Sequence, residues 1–263
     1  MQQVTALQQL AMFYDLGQFR AEFKPSTADR LIMLSVVLLI AFVGIVMTLS
    51  IVLNAHPFSP LMLFPFFLFS VFVPLTCLRS VRWVVRNRKL RVFAHEHGFV
   101  YVGLRETRAI RWDHIAFVWH EVAVSQGRDS NGNLSISFHH EYRLQCLDGS
   151  TLVLDDIFSG LERLGKMVEW ESARFLLPEV QDRFSSGQPV AFGELSVDQS
   201  GVVWHGQRLP WQAFVSMGVV ERRGSIHLNT INQGQVVSWA TISSGEIPNT
   251  EVLKALIRPY VRV

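Results

Sequence analysis

The sequence has few of the residues and motifs that build disulfide scaffolds, metal centres or nucleotide sites. Two cysteines, Cys77 and Cys146, are too few for a disulfide framework. HExxH, CxxC, GxSxG, GxxxxGK[ST] and GxGxxG are all absent. These absences argue against an enzyme, and we assign no catalytic residue, cofactor or metal ligand.

Charged residues are missing from two long segments, residues 31–54 and 57–78. The first has 24 residues and the second 22. As a helix the first would measure about 36 Å, more than the ~30 Å of a bilayer core. The pattern predicts a hairpin of two transmembrane helices joined at Ala55 and His56. The alternative for the same pattern is a very hydrophobic helix pair in a soluble core.

Basic residues are concentrated just after the second segment. This basic cluster consists of Arg79, Arg82, Arg86, Arg88, Lys89 and Arg91. The positive-inside rule then places both termini in the cytoplasm of a multi-pass cell-membrane protein. Two interpretations stay open for the basic cluster: it binds anionic lipid headgroups, or it sets topology alone.

Residues 1–30 lack the apolar core of a cleavable signal peptide. Apolar residues recur at helical spacing from Val4 to Tyr14, which predicts a short amphipathic helix ending near Gly17. Residues 79–90 are predicted to be a basic connector to the rest of the chain.

Beyond Arg91 the pattern changes from helical to strand-like. Short β-branched and aromatic runs alternate with turn residues such as Asp148-Gly149. We expect a first domain at 91–184 that closes with a helix, a linker at 185–189, and a second domain at 190–263 whose helix starts near Asn249.

The two domains share short sequence matches. HGFVY at 97–101 matches SGVVW at 200–204, and IRWDHIAFV at 110–118 matches LPWQAFVSM at 209–217. Repetition at about 100 residues indicates a duplicated module. Trp112 and Trp211 are therefore predicted to be buried at equivalent positions.

Antiparallel strands closed by one amphipathic helix, with the Gly-[Phe/Val]-Val-aromatic and Trp-x-x-[Ile/Phe] patterns, resemble bacterial pleckstrin-homology-like (PH-like) domains. A membrane hairpin followed by such modules is similar to uncharacterised bacterial membrane proteins that carry them. The resemblance covers about residues 90–263. It implies two tandem seven-stranded curled sheets, each plugged by a helix and used for binding. The predicted fold class is thus an α+β membrane protein.

Several polar residues are candidates for chemical sites. The histidines considered for a metal site are His95, His97, His114, His120, His139 and His140. Without recognisable ligand spacing, they are better interpreted as surface or interface residues. Asp155 and Asp156 form either a paired-carboxylate site or the acidic start of a helix.

These patterns predict a membrane-anchored, non-enzymatic binding or scaffold protein. Expected partners are the membrane, anionic lipid headgroups, and a protein partner or a second copy. Nucleic acid is not expected, because the cations lie beside the predicted spans and the domains are nearly balanced in charge. The alternative is a membrane-bound enzyme with a site between the two β domains.

Overall fold

A computed structural model describes residues 2–26, 35–36, 38–39, 42–44, 75, 78–79, 81–83, 85–128, 134–220 and 224–261. The chain forms two compact units. One contains Met1–Phe23, Phe93–Val100 and Ala109–Val263, and the other contains Lys24–Val92 and Tyr101–Arg108. The predicted pair of β domains therefore lies almost wholly in the first unit.

The predicted transmembrane hairpin is wrong: no helix in the described ranges is both long enough and apolar enough to cross a bilayer. The longest helix that the structure describes has 25 residues but carries charges along its length. Most of residues 31–54 and 57–78, on which the prediction fell, lie outside the described residues. The predicted α+β membrane-protein class and the predicted multi-pass location with cytoplasmic termini both depended on this hairpin. Both predictions are therefore wrong as well. An uncharged run of this length shows a capacity for burial, which the core of a bilayer and the core of a protein both satisfy.

Within the described residues, the first repeat contains seven strands, a short helix at the start of the chain and one long helix at its end. Its elements are α1 (Gln2–Phe13), β1 (Phe19–Phe23), β2 (Arg91–His95), β3 (Gly98–Val102), β4 (Thr107–Arg111), β5 (Ile115–Arg128), β6 (Leu134–Cys146), β7 (Thr151–Asp155) and α2 (Leu161–Ser185). The strand orders are β1-β2-β3-β4 and β5-β6-β7. Its first strand, β1, precedes the uncharged segments in the chain.

The second repeat has the same arrangement in a shorter stretch of chain. Its elements are β8 (Val190–Phe192), β9 (Leu195–Asp198), β10 (Gly201–Trp204), β11 (Gln207–Pro210), β12 (Phe214–Val220), β13 (Ser225–Asn232), β14 (Gln235–Ser243) and α3 (Thr250–Ile257). The strand orders are β11-β10-β9-β8 and β12-β13-β14. Although shorter, this repeat therefore has as many strands as the first.

Corresponding positions of the two repeats carry the same irregularity. The β5–β6 register shifts between Ile115 and Phe117, and the β12–β13 register shifts between Phe214 and Ser216. A bulge re-aims the strand that contains it. The same bend therefore follows the tryptophan of each repeat.

Helix α2 belongs to both repeats. Gly165, near its start, packs against the ring of Tyr142 on β6. Near its end, Phe184 is buried in the second core, and Leu176, Leu177 and Val180 pack against that core. The helix continues through Pro178 to Ser185. Burial on both halves explains this, because tertiary packing offsets the lost backbone hydrogen bond.

Asn249 joins the second repeat to β5 of the first. Its side-chain Oδ1 accepts from the Val118 backbone N–H at 2.9 Å, and its Nδ2 donates to the Ala116 carbonyl at 2.9 Å. Its own N–H donates to the Val118 carbonyl at 2.8 Å. Asn249 precedes α3 in the left-handed conformation, with φ 54°. Its amide thus bonds to the neighbouring repeat and does not cap its own helix.

Asp198 stabilises the turn between β9 and β10. Its Oδ1 accepts from the Ser200 and Gly201 backbone N–H groups at 2.8 and 3.1 Å, and Arg208 donates to both carboxylate oxygens at 2.7 and 2.8 Å. Burial by itself would raise the pKa of Asp198, but the hydrogen bonds from Ser200 and Arg208 outweigh it and lower the pKa to about 2.

The lowered pKa of Asp198 predicts acid-dependent stability. Because the folded pKa lies below the unfolded value, the contribution is present above about pH 4 and is lost as the pH falls through about 2. Asp198→Asn should lower the free energy of unfolding by about 2 kcal/mol at neutral pH. It should also make the free energy of unfolding depend less on pH in acid. Urea unfolding at several pH values measures this. Asp182→Asn, at an exposed position of α2, is the matched control, and equal profiles for the two variants would contradict the prediction.

Candidate functional site

The basic cluster lies in the second compact unit, with mostly exposed side chains. Arg79, Arg82, Arg86, Arg88 and Lys89 are exposed, whereas Arg91 is half-buried. The Arg91 guanidinium donates to the carbonyls of Arg88 and Leu90, both at 2.7 Å. Arg91 therefore holds the turn that leads into β2, while the others place charge at the surface.

The two predicted core tryptophans lie in similar settings. Trp112 is fully buried and Trp211 nearly so. The Trp112 indole donates to the Glu96 carbonyl at 3.1 Å, and the Trp211 indole donates to the Asp198 carbonyl at 3.0 Å. Each ring thus packs in its core with its polar N–H satisfied by the turn before the third strand of its repeat.

The histidines are distributed over separate places. No group of three metal-ligating side chains occurs in the part of the chain that the structure describes. His95 packs edge-on against Phe19 at 5.9 Å, and burial lowers the pKa of its imidazole. His114 is exposed. Among the histidines that the structure describes, only His120 and His140 meet directly, with ring nitrogens 3.0 Å apart.

The two aspartates do not begin the helix that follows them. Helix α2 starts at Leu161 after Gly160. Asp155 accepts from the Ile157 backbone N–H at 3.2 Å, and Asp156 accepts from His139 Nδ1 and the His140 backbone N–H, both at 3.1 Å. They therefore stabilise the turn after β7 and join it to β6.

A groove between α2 and α3 has the geometry of a binding site, and the sequence analysis did not find it. The groove has a volume of about 240 Å³ and is lined by Trp170, Ala173, Arg174 and Leu177 from α2, and by Glu251, Lys254, Ala255 and Arg258 from α3 and the turn after it. Both sets follow the i, i+3, i+4, i+7 spacing that places side chains on one helix face. We call this site the α2–α3 groove.

The floor of the α2–α3 groove is apolar. Leu177 and Ala173 are half-buried against the second core. Trp170 stands at one side with 64% of its surface exposed. A large aromatic ring left in water at the side of an apolar groove offers an anchor that association would cover.

The charged residues of the α2–α3 groove are mainly cationic. Arg174 pairs with Glu171 at 3.1 Å, and Lys254 pairs with Glu251 at 2.5 Å. Arg258 is exposed. With three cations and one carboxylate on its walls, the groove favours an anionic occupant.

A second hollow continues the site on the other side of α3. It measures about 390 Å³ and is lined by Met217, Ile257 and Val261 together with Lys254 and Arg258. Lys254 and Arg258 thus stand between two apolar hollows. Positive charge and apolar surface therefore lie side by side along α3.

Sequence signals for the groove were present but ambiguous. The buried face of α2 runs through Leu164 and Val168, whereas the residues that line the groove lie on another face of the helix. Only the packing of α3 beside α2 shows that Trp170 and Arg258 line the same groove.

Comparison with known proteins identifies a family for this chain. No curated protein and no solved structure matches the chain. The model of a family of unknown function, DUF6585, matches residues 1–262. Because this match spans nearly the whole sequence, the chain belongs to the DUF6585 family.

Proposed function

We propose that the protein is a non-enzymatic binding protein that holds a segment of a protein partner in the α2–α3 groove. The observation that carries the proposal is the groove itself, which combines an apolar floor, an exposed tryptophan and cationic walls. The resemblance of the repeats to PH-like modules supports a binding role, because it implies domains used for recognition.

The segment we propose is an amphipathic helix with acidic flanks. Two helices that each present an i, i+3, i+4, i+7 face can accommodate the apolar stripe of a third helix between them. Acidic residues beside that stripe would meet Arg174, Lys254 and Arg258. The Lys254 side chain keeps 35% of its surface exposed beside Glu251, so its ammonium group is accessible to a partner.

An enzyme with a site between the two repeats has less support. At that junction the Asn249 amide is fully engaged with the backbone of β5. A side chain added at Gly224 would overlap Val122 on β5, and one added at Gly245 would press on Glu121. These contacts are close packing between the repeats, as expected of a structural junction.

Arg258→Glu tests the proposed function. The probe is a fluorescent peptide of about five helical turns with leucines at i, i+3, i+4 and i+7 and glutamates on both flanks. We expect Arg258→Glu to weaken binding at least tenfold, since it replaces an attractive charge with a repulsive one. Affinity should also fall with added salt. Fluorescence anisotropy with the full chain measures both effects.

The control variant is Arg163→Glu, which makes the same charge change at an exposed α2 position outside the groove. It should bind the peptide like the wild type. A scrambled peptide of identical composition tests whether the apolar stripe is required. Equal binding by the two variants, or no peptide binding by the wild type, would overturn the proposal. Arg258-dependent binding to phosphatidylserine vesicles without peptide binding would assign the groove to anionic lipid instead.

A further inference from the structure

We propose that one face of the β5-β6-β7 sheet is a second docking surface, which binds a basic amphipathic helix of a protein partner. This face lies opposite the one that packs against α2, since Gly165 of α2 contacts the buried Tyr142 ring on the inner side of β6. The inference is independent of the α2–α3 groove and would stand if that groove bound nothing.

Strand register arranges this face as three rows that each cross three strands. Alternate residues of a strand point to the same face. The rows are Phe117, Gln145 and Thr151, then Trp119, Arg143 and Val153, then Glu121, Glu141 and Asp155. We call these nine positions the outer sheet face. A row of three carboxylates therefore lies beside a row that contains a tryptophan, an arginine and a valine.

Large apolar side chains of the outer sheet face are open to solvent. Phe117 is 39% exposed and Val153 is 44% exposed. The rings of Phe117 and Trp119 lie 5.5 Å apart, and the Arg143 guanidinium lies over the Trp119 ring at 5.2 Å. Tryptophan and arginine are enriched among the residues that contribute most to protein–protein association. The first two rows therefore offer an anchor for a partner.

The third row gives the outer sheet face its charge. Glu141 stands directly opposite Glu121 on one side and Asp155 on the other. Like charges directly opposite each other destabilise a sheet. Arg143, the one cation among the nine positions, is directed over Trp119. Carboxylates beside apolar side chains select a partner whose apolar residues are flanked by cations.

The second repeat shows that the fold does not require these side chains. Its strands have a bulge at the corresponding place, and their register puts the following residues at the nine corresponding positions: Ser216, Asn229 and Ser238, then Gly218, His227 and Thr241, then Val220, Ser225 and Ser243. Asn229 donates to Ser216 at 3.0 Å. The duplicated sheet thus forms without a phenylalanine, tryptophan or carboxylate on this face. These side chains of the first repeat are therefore available for recognition.

A helix laid across the three strands matches the acidic row. Neighbouring strands are about 4.8 Å apart, and helical residues three and four apart rise by about 4.5 and 6 Å. Lysines at i, i+3 and i+7 can therefore reach Glu121, Glu141 and Asp155 in turn. The residue after each lysine lies about 100° further around the helix axis. Apolar residues there would cover Trp119 and Val153, one row away and about 7 Å along the strands.

Glu141→Lys tests the outer sheet face. The probe is a fluorescent peptide of about five helical turns with lysines at i, i+3 and i+7 and a leucine after each lysine. The wild-type full chain should bind it. Glu141→Lys should weaken binding roughly tenfold or more, because it puts a positive charge in the middle of the acidic row. Affinity should also fall with added salt. Fluorescence anisotropy measures both effects.

Matched variants separate recognition from folding. Glu194→Lys makes the same charge reversal at an exposed position of the second repeat and should bind like the wild type. Phe117→Ser introduces the residue that the second repeat has at this position, so it should fold but bind roughly fivefold or more weakly. Glu141→Ser, which matches Ser225 of the second repeat, replaces Glu141→Lys if that variant fails to fold and should also weaken binding.

Equal binding by Glu141→Lys and Glu194→Lys would overturn the inference, as would a wild type that does not bind the lysine–leucine peptide. Unchanged binding by Phe117→Ser would also overturn it, because the apolar rows would then have no part in recognition. Self-association of the wild type that Glu141→Lys abolishes would assign the outer sheet face to a second copy of the chain instead.

Discussion

Replacing Trp112 with alanine is expected to lower the free energy of unfolding by about 3–5 kcal/mol, and Trp211→Ala by a similar amount. Both rings are buried, and each indole N–H donates to a carbonyl in a turn. Removing the ring leaves a cavity and an unsatisfied carbonyl. A loss of this size is comparable to the whole stability of a marginal domain. Chemical denaturation of the full chain measures it.

Trp170→Ala is the matched control, because this ring is 64% exposed. Its effect on the free energy of unfolding should be within about 0.5 kcal/mol. Comparable destabilisation by Trp170→Ala and Trp112→Ala would contradict the assigned burial. Because α2 packs into both repeats, we also expect each core variant to unfold the chain in one transition. A separate early transition would show that the repeats unfold independently.

Gly98→Ala and Gly201→Ala should each destabilise the protein by about 3 kcal/mol or more. A methyl group at Gly98 would lie 2.3 Å from the Ile110 carbonyl oxygen, and one at Gly201 would lie 2.2 Å from the Leu209 carbonyl oxygen. These contacts are with backbone, which cannot move aside like the end of a flexible side chain. The two clashes occupy corresponding places in the two repeats. The two substitutions should therefore lower the free energy of unfolding by similar amounts.

Gly218→Ala is the control for this pair, because a methyl group there would meet nothing within 4 Å. It should change stability by less than about 0.5 kcal/mol. Thermal unfolding of the three variants compares their stabilities. If Gly98→Ala or Gly201→Ala behaves like Gly218→Ala, the close approach of the adjoining strand is incorrect.

Strands and helices with strong local patterns were predictable from the sequence. The β-branched run at Arg91–His95 and the turn residues Asp148-Gly149 correctly indicated β2 and the hairpin after β6. Three strands lack a clear strand pattern in the sequence: Phe19–Phe23, Thr107–Arg111 and Gln207–Pro210. Each is four or five residues long, and mixed polar residues hide its alternation.

The uncharged segments led to the opposite error, because the sequence predicted two membrane helices there. Their composition satisfied the spanning criterion, yet no described helix meets it. Hydropathy reports only how a segment partitions between water and an apolar environment.

The sequence by itself determined the duplicated pattern, because Gly98 and Trp112 both recur about 100 residues later, as Gly201 and Trp211. It also determined most strand periods, which depend on neighbours two residues apart. Tertiary structure alone decided which residues meet across the chain. The passage of α2 into the second core, the Asn249 bonds to β5 and the meeting of Trp170 with Arg258 all join residues far apart in sequence. No local period encodes such contacts, because they depend on how whole elements pack.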